Sequence, residues 1–268
     1  MITGIRNVVF YIGLLSLLAL PVRAQEPAVA AQPASAPAES AFDAKASARV
    51  SEMSAFLAKQ QKFRFEVEIM YDAVEEDGHK LQIGRRSRVE VMRPGSLHVD
   101  SQGDRGWDQA ITFDGRHFLL HDRSKKVFSR VDVAGTLDDL FKFVFEKFGT
   151  APPLADFLGS DVNAALMTGA KSCQDLGDAF VAEKECDHIA FTGESLDWQL
   201  WIEKGATPWP RKFVITYKDP EVRPQFIAIF RTWEANVALD AARFNTAAPA
   251  GAAEAPLTAS SQPAPEEK

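Results

Sequence analysis

Apolar residues recur with two different periods along this chain, and the switches between them mark out its elements. Within residues 43–60, Val50, Met53, Phe56 and Leu57 share one face of a 3.6-residue repeat, which predicts an amphipathic first helix. At Phe63 the period becomes two. Phe63, Phe65, Val67, Ile69 and Tyr71 alternate with Arg64, Glu66 and Glu68, the mark of a long strand buried on one face. Asp77-Gly78 is a hairpin signal. Leu81, Ile83, Val89 and Val91 continue as a return strand that stops at Pro94, and 97–101 is a further strand. Asp114-Gly115 marks a second hairpin, between 111–113 and 117–120, and 126–131 alternates again.

The helical period then returns. Leu137, Leu140, Phe141, Val144, Phe145 and Phe148 form one stripe, with Thr136 placed to cap the helix and Gly149 to end it. Burying such side chains contributes roughly 1.5–3 kcal/mol each, so this face is expected to turn inward. Pro152-Pro153 breaks the chain, and 154–169 reads as one or two short helices capped at Ser160 or Asp161. Strands are expected at 170–176, 180–183, 187–192, 196–202, 212–217 and 225–234. Ten or eleven strands in hairpin order, with few helices, make an α+β chain built on a strongly curved antiparallel sheet. A curled sheet or incomplete barrel, with helices over its concave side, accommodates that many strands.

The ends carry different information. A short basic start, an apolar run from Val8 to Leu20 and the small-residue pattern Val22-Arg23-Ala24 read as a secretory signal peptide over 1–24. Residues 25–42 and 247–268 are rich in Ala, Pro and Ser and read as disordered segments flanking one domain at 43–246. Removing Arg6 and Arg23 from the 30 basic residues leaves 28 against 37 acidic ones, a net charge of −9. An acidic surface without any nucleic-acid motif argues against nucleic acid as a partner. Cys173 and Cys186, in an oxidising compartment, are read as a disulfide, the alternative being two buried thiols on separate strands.

Chemical motifs are absent. There is no nucleophile elbow, zinc-protease motif, phosphate loop or dinucleotide fingerprint, and no catalytic residue, cofactor or metal site is nominated. His117 and His121 lie four apart on a strand, about 13 Å, too far to share one metal. Arg85, Arg86 and Arg88 form either an anionic-headgroup patch or an ordinary solvated strand face.

Strand parity sorts the aromatic stretch DWQLWIEKGATPWPRKFVITY at 197–217. Leu196, Trp198, Leu200 and Ile202 share one face, and Phe213, Ile215 and Tyr217 share the matching face of the return strand. Both sets are expected to face inward, toward Phe141, Phe145 and Phe148. Trp201 falls on the opposite face among polar neighbours, which makes it a candidate protein contact or a residue lying under a loop or tail.

Four segments, FRFEVEIMYD, VEVMRPGSLHVD, ITFDGRHFLLHD and DAARFNTAAPAG, occur in the order seen in the LolA family of periplasmic lipoprotein carriers, which this chain resembles. The segment DWQLWIE…PWPRKFVITYKD is similar to a bacterial family of predicted periplasmic proteins of unknown function. The LolA resemblance implies a twisted half-barrel closed by helices around an apolar cavity, which in LolA receives lipoprotein acyl chains. It also implies that Arg93, of the Arg-Pro pair, takes part in opening and closing that cavity. The chain departs from LolA in a longer Phe-rich helical insert, the Cys pair and the long tails. The expectation is a periplasmic carrier or chaperone for a hydrophobic small molecule or lipoprotein acyl chain. Its cavity is expected to be lined by Trp198, Leu200, Phe213, Ile215, Phe141, Phe145 and Phe148. The alternative is a protein-interaction or sensor module on the same fold, with a periplasmic or membrane-associated protein as partner.

Overall fold

A computed structural model describes residues 41–257 apart from 76, 150, 151, 153 and 220. The expected signal peptide, most of the linker after it, and the tail from 258 lie outside the described residues. The first helix, α1 (Ala44–Ala58), begins where the Asp43 carboxylate accepts from the Ala46 N–H at 2.9 Å. Two ladders of consecutive strands follow. The first runs β1 (Lys62–Val74), β2 (Lys80–Met92), β3 (Ser96–Gly103), β4 (Asp108–Phe113), β5 (His117–Asp122) and β6 (Val127–Asp132). The second runs β7 (Ser172–Val181), β8 (Lys184–Thr192), β9 (Leu196–Glu203), β10 (Pro210–Tyr217) and β11 (Gln225–Ala235). Between them lie α2 (Leu137–Phe148), a 3-10 turn at Ala155–Phe157 and α3 (Val162–Met167).

The two ladders join where β1 pairs antiparallel with β11, Phe65 opposite Trp233 and Ile69 opposite Ala228. With a short strand β12 (Ala253–Glu254) this gives one 12-stranded sheet in the order β12-β6-β5-β4-β3-β2-β1-β11-β10-β9-β8-β7. The edges β12 and β7 do not meet, so the sheet is an open, curved half-barrel. Register irregularities near Glu66/Val67, Asp175/Asp178 and Pro210/Lys212 mark bulges of the kind that bend strands and increase their twist.

Period-two patterning explains which face is concave. Phe63, Phe65, Val67 and Ile69 of β1, Val89 and Val91 of β2, Ile189 and Phe191 of β8, and Phe226, Ala228 and Phe230 of β11 join one buried core. Val50, Met53 and Leu57 of α1 pack into the same core, so the helix covers the concave side as its period predicts. Arg49 of α1 bonds Asp187 at 2.8 Å, and Lys45 pairs with Asp175, tying the helix to the β7–β8 end. The convex face is charged and paired. Glu68 meets Arg86 and Arg231, Glu66 meets Arg88, and Arg64 meets Glu234. The arginine cluster at 85–88 is thus mostly an ion-paired strand face, each exposed pair contributing about 0–1 kcal/mol.

Three expectations are corrected. The segment 170–183 is one strand, not two. Asp175-Gly177 is a bulge within β7, with Gly177 at φ 89°, and the reversal comes later, at Ala182 and Glu183, both with positive φ. The chain after 247 is not wholly unstructured, because β12 pairs in parallel with β6 and Leu257 is buried in the core. The Cys173–Cys186 disulfide is absent, and both thiols are free and buried. The register shows why: Cys173 lies opposite Phe191, five residues along β8 from Cys186, a separation of about 17 Å against the 7 Å limit for a bridge. An odd spacing also sends the two side chains to opposite faces. Cys173 faces the main core and Cys186 a smaller cluster on the convex side. Burial pushes both thiols up to about 11, so neither is reactive while the fold is intact.

Candidate functional site

A cleft of about 260 Å³ opens on the concave side. One wall is the inward row of β9 and β10, namely Leu196, Trp198, Phe213, Ile215 and Tyr217. The other is the cover formed by the 3-10 turn and α3, which contributes Pro152, Asp156, Ala165, Leu166 and Thr168. The volume lies just below the range of roughly 300–1,000 Å³ typical of small-molecule pockets.

The cleft is small because aromatic rings fill much of the half-barrel. Phe157, fully buried, projects from the cover and meets Phe213 and Phe230 edge-to-face, with ring centroids 5.1 and 5.5 Å away. Trp209 stacks on Trp233 at 4.8 Å, and Phe191 stacks on Trp198 at 5.2 Å. Phe157 is therefore a plug carried by the same turn that bears Asp156.

Two lining groups have shifted acidities. Burial alone pushes the Asp156 carboxyl up to about 6 and the Tyr217 phenol up to about 12. The Thr168 hydroxyl is committed, donating to the Ala164 carbonyl at 2.7 Å. Asp156 has no hydrogen-bond or ion-pair partner among the described residues. A carboxylate so placed is costly unless something arrives to pair with it.

The cover is held down at one junction. Arg93 Nη1 donates to the carbonyls of Leu158 and Gly159, at 2.6 and 2.9 Å, immediately after the plug residue. The next residue, Pro94, accepts from the Leu137 N–H at 2.9 Å, and Asp138 of α2 accepts from the Ser160 N–H at 2.9 Å. The turn between β2 and β3 thus anchors both the start of α2 and the cover. The Arg93 guanidinium lies over the Phe63 ring at 5.5 Å, while its buried Nε and Nη2 have no partner among the described residues. Desolvation lowers its pKa, with Asp138 opposing.

The candidate lining residues separate into groups. Trp198, Phe213 and Ile215 line the cleft, whereas Leu200 is fully buried in the core beside it. Phe141 and Phe148 are half-buried against the core and do not line this cleft, and Phe145 is 53% exposed. Only Leu137 and Leu140, at the start of α2, are buried, while later residues such as Phe143, 6.4 Å from Phe118 of β5, pack against the core only in part. The capping box of Thr136 and Asp139 and the left-handed Gly149 form as expected, so the helix itself was legible. Asp156 and the cover were missed as site components. A single acid inside the apolar run Leu154-Ala155-Asp156-Phe157-Leu158 was the available signal.

Trp201 is on the convex face, as parity requires, but it is only 9% exposed. Its cross-strand neighbours cover it: the His188 ring stacks on it at 4.0 Å, and Lys212 Nζ sits over it at 4.5 Å. With Val181, Cys186 and Val214 it forms the convex cluster. Among the described residues no helix is long and apolar enough to cross a membrane, and no group of three or more metal-binding side chains assembles.

The fold is similar to that of the Mycobacterium tuberculosis lipoprotein LppX, at 11% identity and a TM-score of 0.46, over 74% of this chain and 100% of that one. It is also similar to LprF from Mycobacterium bovis, at 11% identity and a TM-score of 0.45, over 74% and 97%. A chain of the Pseudomonas aeruginosa MucA/MucB complex matches at 15% identity and a TM-score of 0.40, over 78% of this chain and 62% of that one. No curated protein matches the sequence. The DUF2092 family, described as predicted periplasmic protein, matches residues 46–258, and the chain belongs to that family.

Proposed function

We propose that this periplasmic protein binds a hydrophobic or amphiphilic ligand on the concave side of its half-barrel, beneath the cover at 154–168. The observation that carries the reading is the pairing of an apolar cleft with a cover held by few bonds. Arg93, through two backbone carbonyls, and Asp138, through the Ser160 N–H, fasten the turn that inserts Phe157 where a ligand's apolar body would lie. Release of Arg93 lets the turn lift, withdraws the plug and joins its volume to the 260 Å³ cleft. A lipid or lipoprotein acyl chain is the cargo class this geometry suits, in keeping with the LolA resemblance of the Arg93-Pro94 segment.

Displacement of an uncharged fluorescent lipid analogue, together with mass spectrometry of solvent extracts from purified protein, tests the reading. Phe157→Ala is expected to destabilise the fold by about 3–5 kcal/mol while increasing affinity for the analogue several-fold. Arg93→Leu is expected to speed ligand exchange. Clean extracts, with no binding of the analogue by the wild-type protein or by a folded Phe157→Ala variant, would overturn it.

A second reading, a protein-interaction module, is favoured by the edge strand β7. Leu176 and Phe180 are 52% and 72% exposed there, and Phe42, bridged to Cys173 at the start of the same strand, is 38% exposed. Beyond Cys173, where residues 41–43 pair with it, β7 has no further partner strand among the described residues on its outer side, and such an edge bearing apolar side chains is a template for an added strand. Trp201, covered by its neighbours, offers such a partner little surface.

A further inference from the structure

Among the described residues, Asp156 is an acid that its surroundings do not account for. It sits on the cover, lines the cleft beside Leu166, and faces the wall of Leu196, Trp198, Phe213 and Ile215. Other buried or half-buried acids are answered from within the fold. Asp187 has Arg49, Glu203 has Arg211, Glu90 has Arg243, and Asp100 has Arg123 and His98. Asp156 has no such answer from the described residues. The only other titratable side chain lining the cleft is Tyr217, whose phenol remains neutral across the physiological range.

We infer that the ligand of this cleft carries a cationic or strongly hydrogen-bond-donating head, an ammonium group on an apolar body, and that Asp156 is the group that recognises it. The inference rests on the proposed binding function and narrows its ligand class. A carboxylate set in an apolar wall discriminates strongly. It gains a charge-assisted hydrogen bond from an ammonium head, gains less from a hydroxyl, and repels a carboxylate. Burial keeps the carboxyl partly protonated near neutrality, and a bound cation would draw it to the ionised form, so binding should release a proton. The head would lie at the cover and the apolar body would run along Trp198, Phe213 and Ile215, toward the space Phe157 now fills.

Calorimetric titration with three probes of equal body, octylamine, 1-octanol and octanoate, tests this. At about pH 7.5 octylamine is expected to bind roughly tenfold or more tighter than octanol, with octanoate weakest. The preference should collapse in Asp156→Asn, survive in Asp156→Glu, and fall at about pH 5, where Asp156 is protonated. Equal affinity for all three probes in the wild-type protein overturns the inference and leaves the binding function standing. An amine preference that persists unchanged in Asp156→Asn also overturns it. Binding of none of the probes, by the wild-type protein or by Phe157→Ala, removes both.

Discussion

Asp156 has a cost that can be measured without any ligand. Its carboxyl is pushed up to about 6 in the folded chain, against about 3.9 when unfolded. The folded state therefore holds the proton more tightly, and stability falls as pH rises from about 4 through 6. Asp156→Asn is expected to raise stability above about pH 6.5 by on the order of 2 kcal/mol, a few degrees in melting temperature, and to change little at about pH 4. Thermal melts of both proteins across that range check it, and equal melting temperatures at neutral pH would show that the carboxyl is solvated after all. The same scale shows what single residues could tell from sequence. Parity assigned Trp198, Phe213 and Ile215 to the concave side correctly, because a strand's alternation is rigid. It also put Trp201 outside, but parity is blind to the two neighbouring strands whose His188 and Lys212 cover that ring. The cysteines failed for a related reason. Thirteen residues of spacing fit a short hairpin, yet the bulge and the later turn displaced Cys186 by five residues along β8 and onto the other face.

Elements were more legible than the contacts between them. The boundaries of α1, β1, β2 and α2 follow their caps, periods and turn residues closely, since these are local effects. What an amphipathic stripe cannot specify is which surface covers it. α2 carries five half-exposed or exposed apolar residues after Leu140, because its buried side chains and the bonds at Pro94 and Ser160 all lie near its start. The edge strand β7 is the second element whose apolar residues exceed its cover. Replacing Leu176 and Phe180 together by Lys is expected to leave stability within about 0.5 kcal/mol, since neither side chain is buried. The same change should suppress association at high concentration in sedimentation velocity, as charged residues do on natural edges. Unchanged sedimentation would mean that β7 does not pair with another copy.

On the scale of the whole molecule, ion pairs gather where the chain closes. Arg243, in the 3-10 turn Ala241–Phe244, bonds Glu90 of β2 at 2.8 Å and Asp100 of β3 at 3.1 Å. His98 and Arg123 also bond Asp100 and hold its carboxyl well below the usual range. Phe244 beside it is buried, so the closing segment is fixed by packing and charge together. The sequence indicated an open, curled sheet because consecutive hairpins dominate it. It could not indicate the join between β1 and β11, which depends on residues more than 150 positions apart.

That join divides the chain into two ladders of local hairpins, meeting along one line of backbone bonds between β1 and β11. The link between them passes through 149–154, where the cover and α2 are already tied by Arg93 and Asp138. A chain severed there should still find itself. Fragments ending at Gly149 and starting at Leu154, expressed separately and mixed, are expected to reassemble into a 1:1 complex with native-like circular dichroism. Because closing distant contacts is slow, the joining step rather than either ladder should limit the refolding rate. The protein would then serve as a natural split pair, with the two pieces meeting along an edge that each presents only while the other is absent.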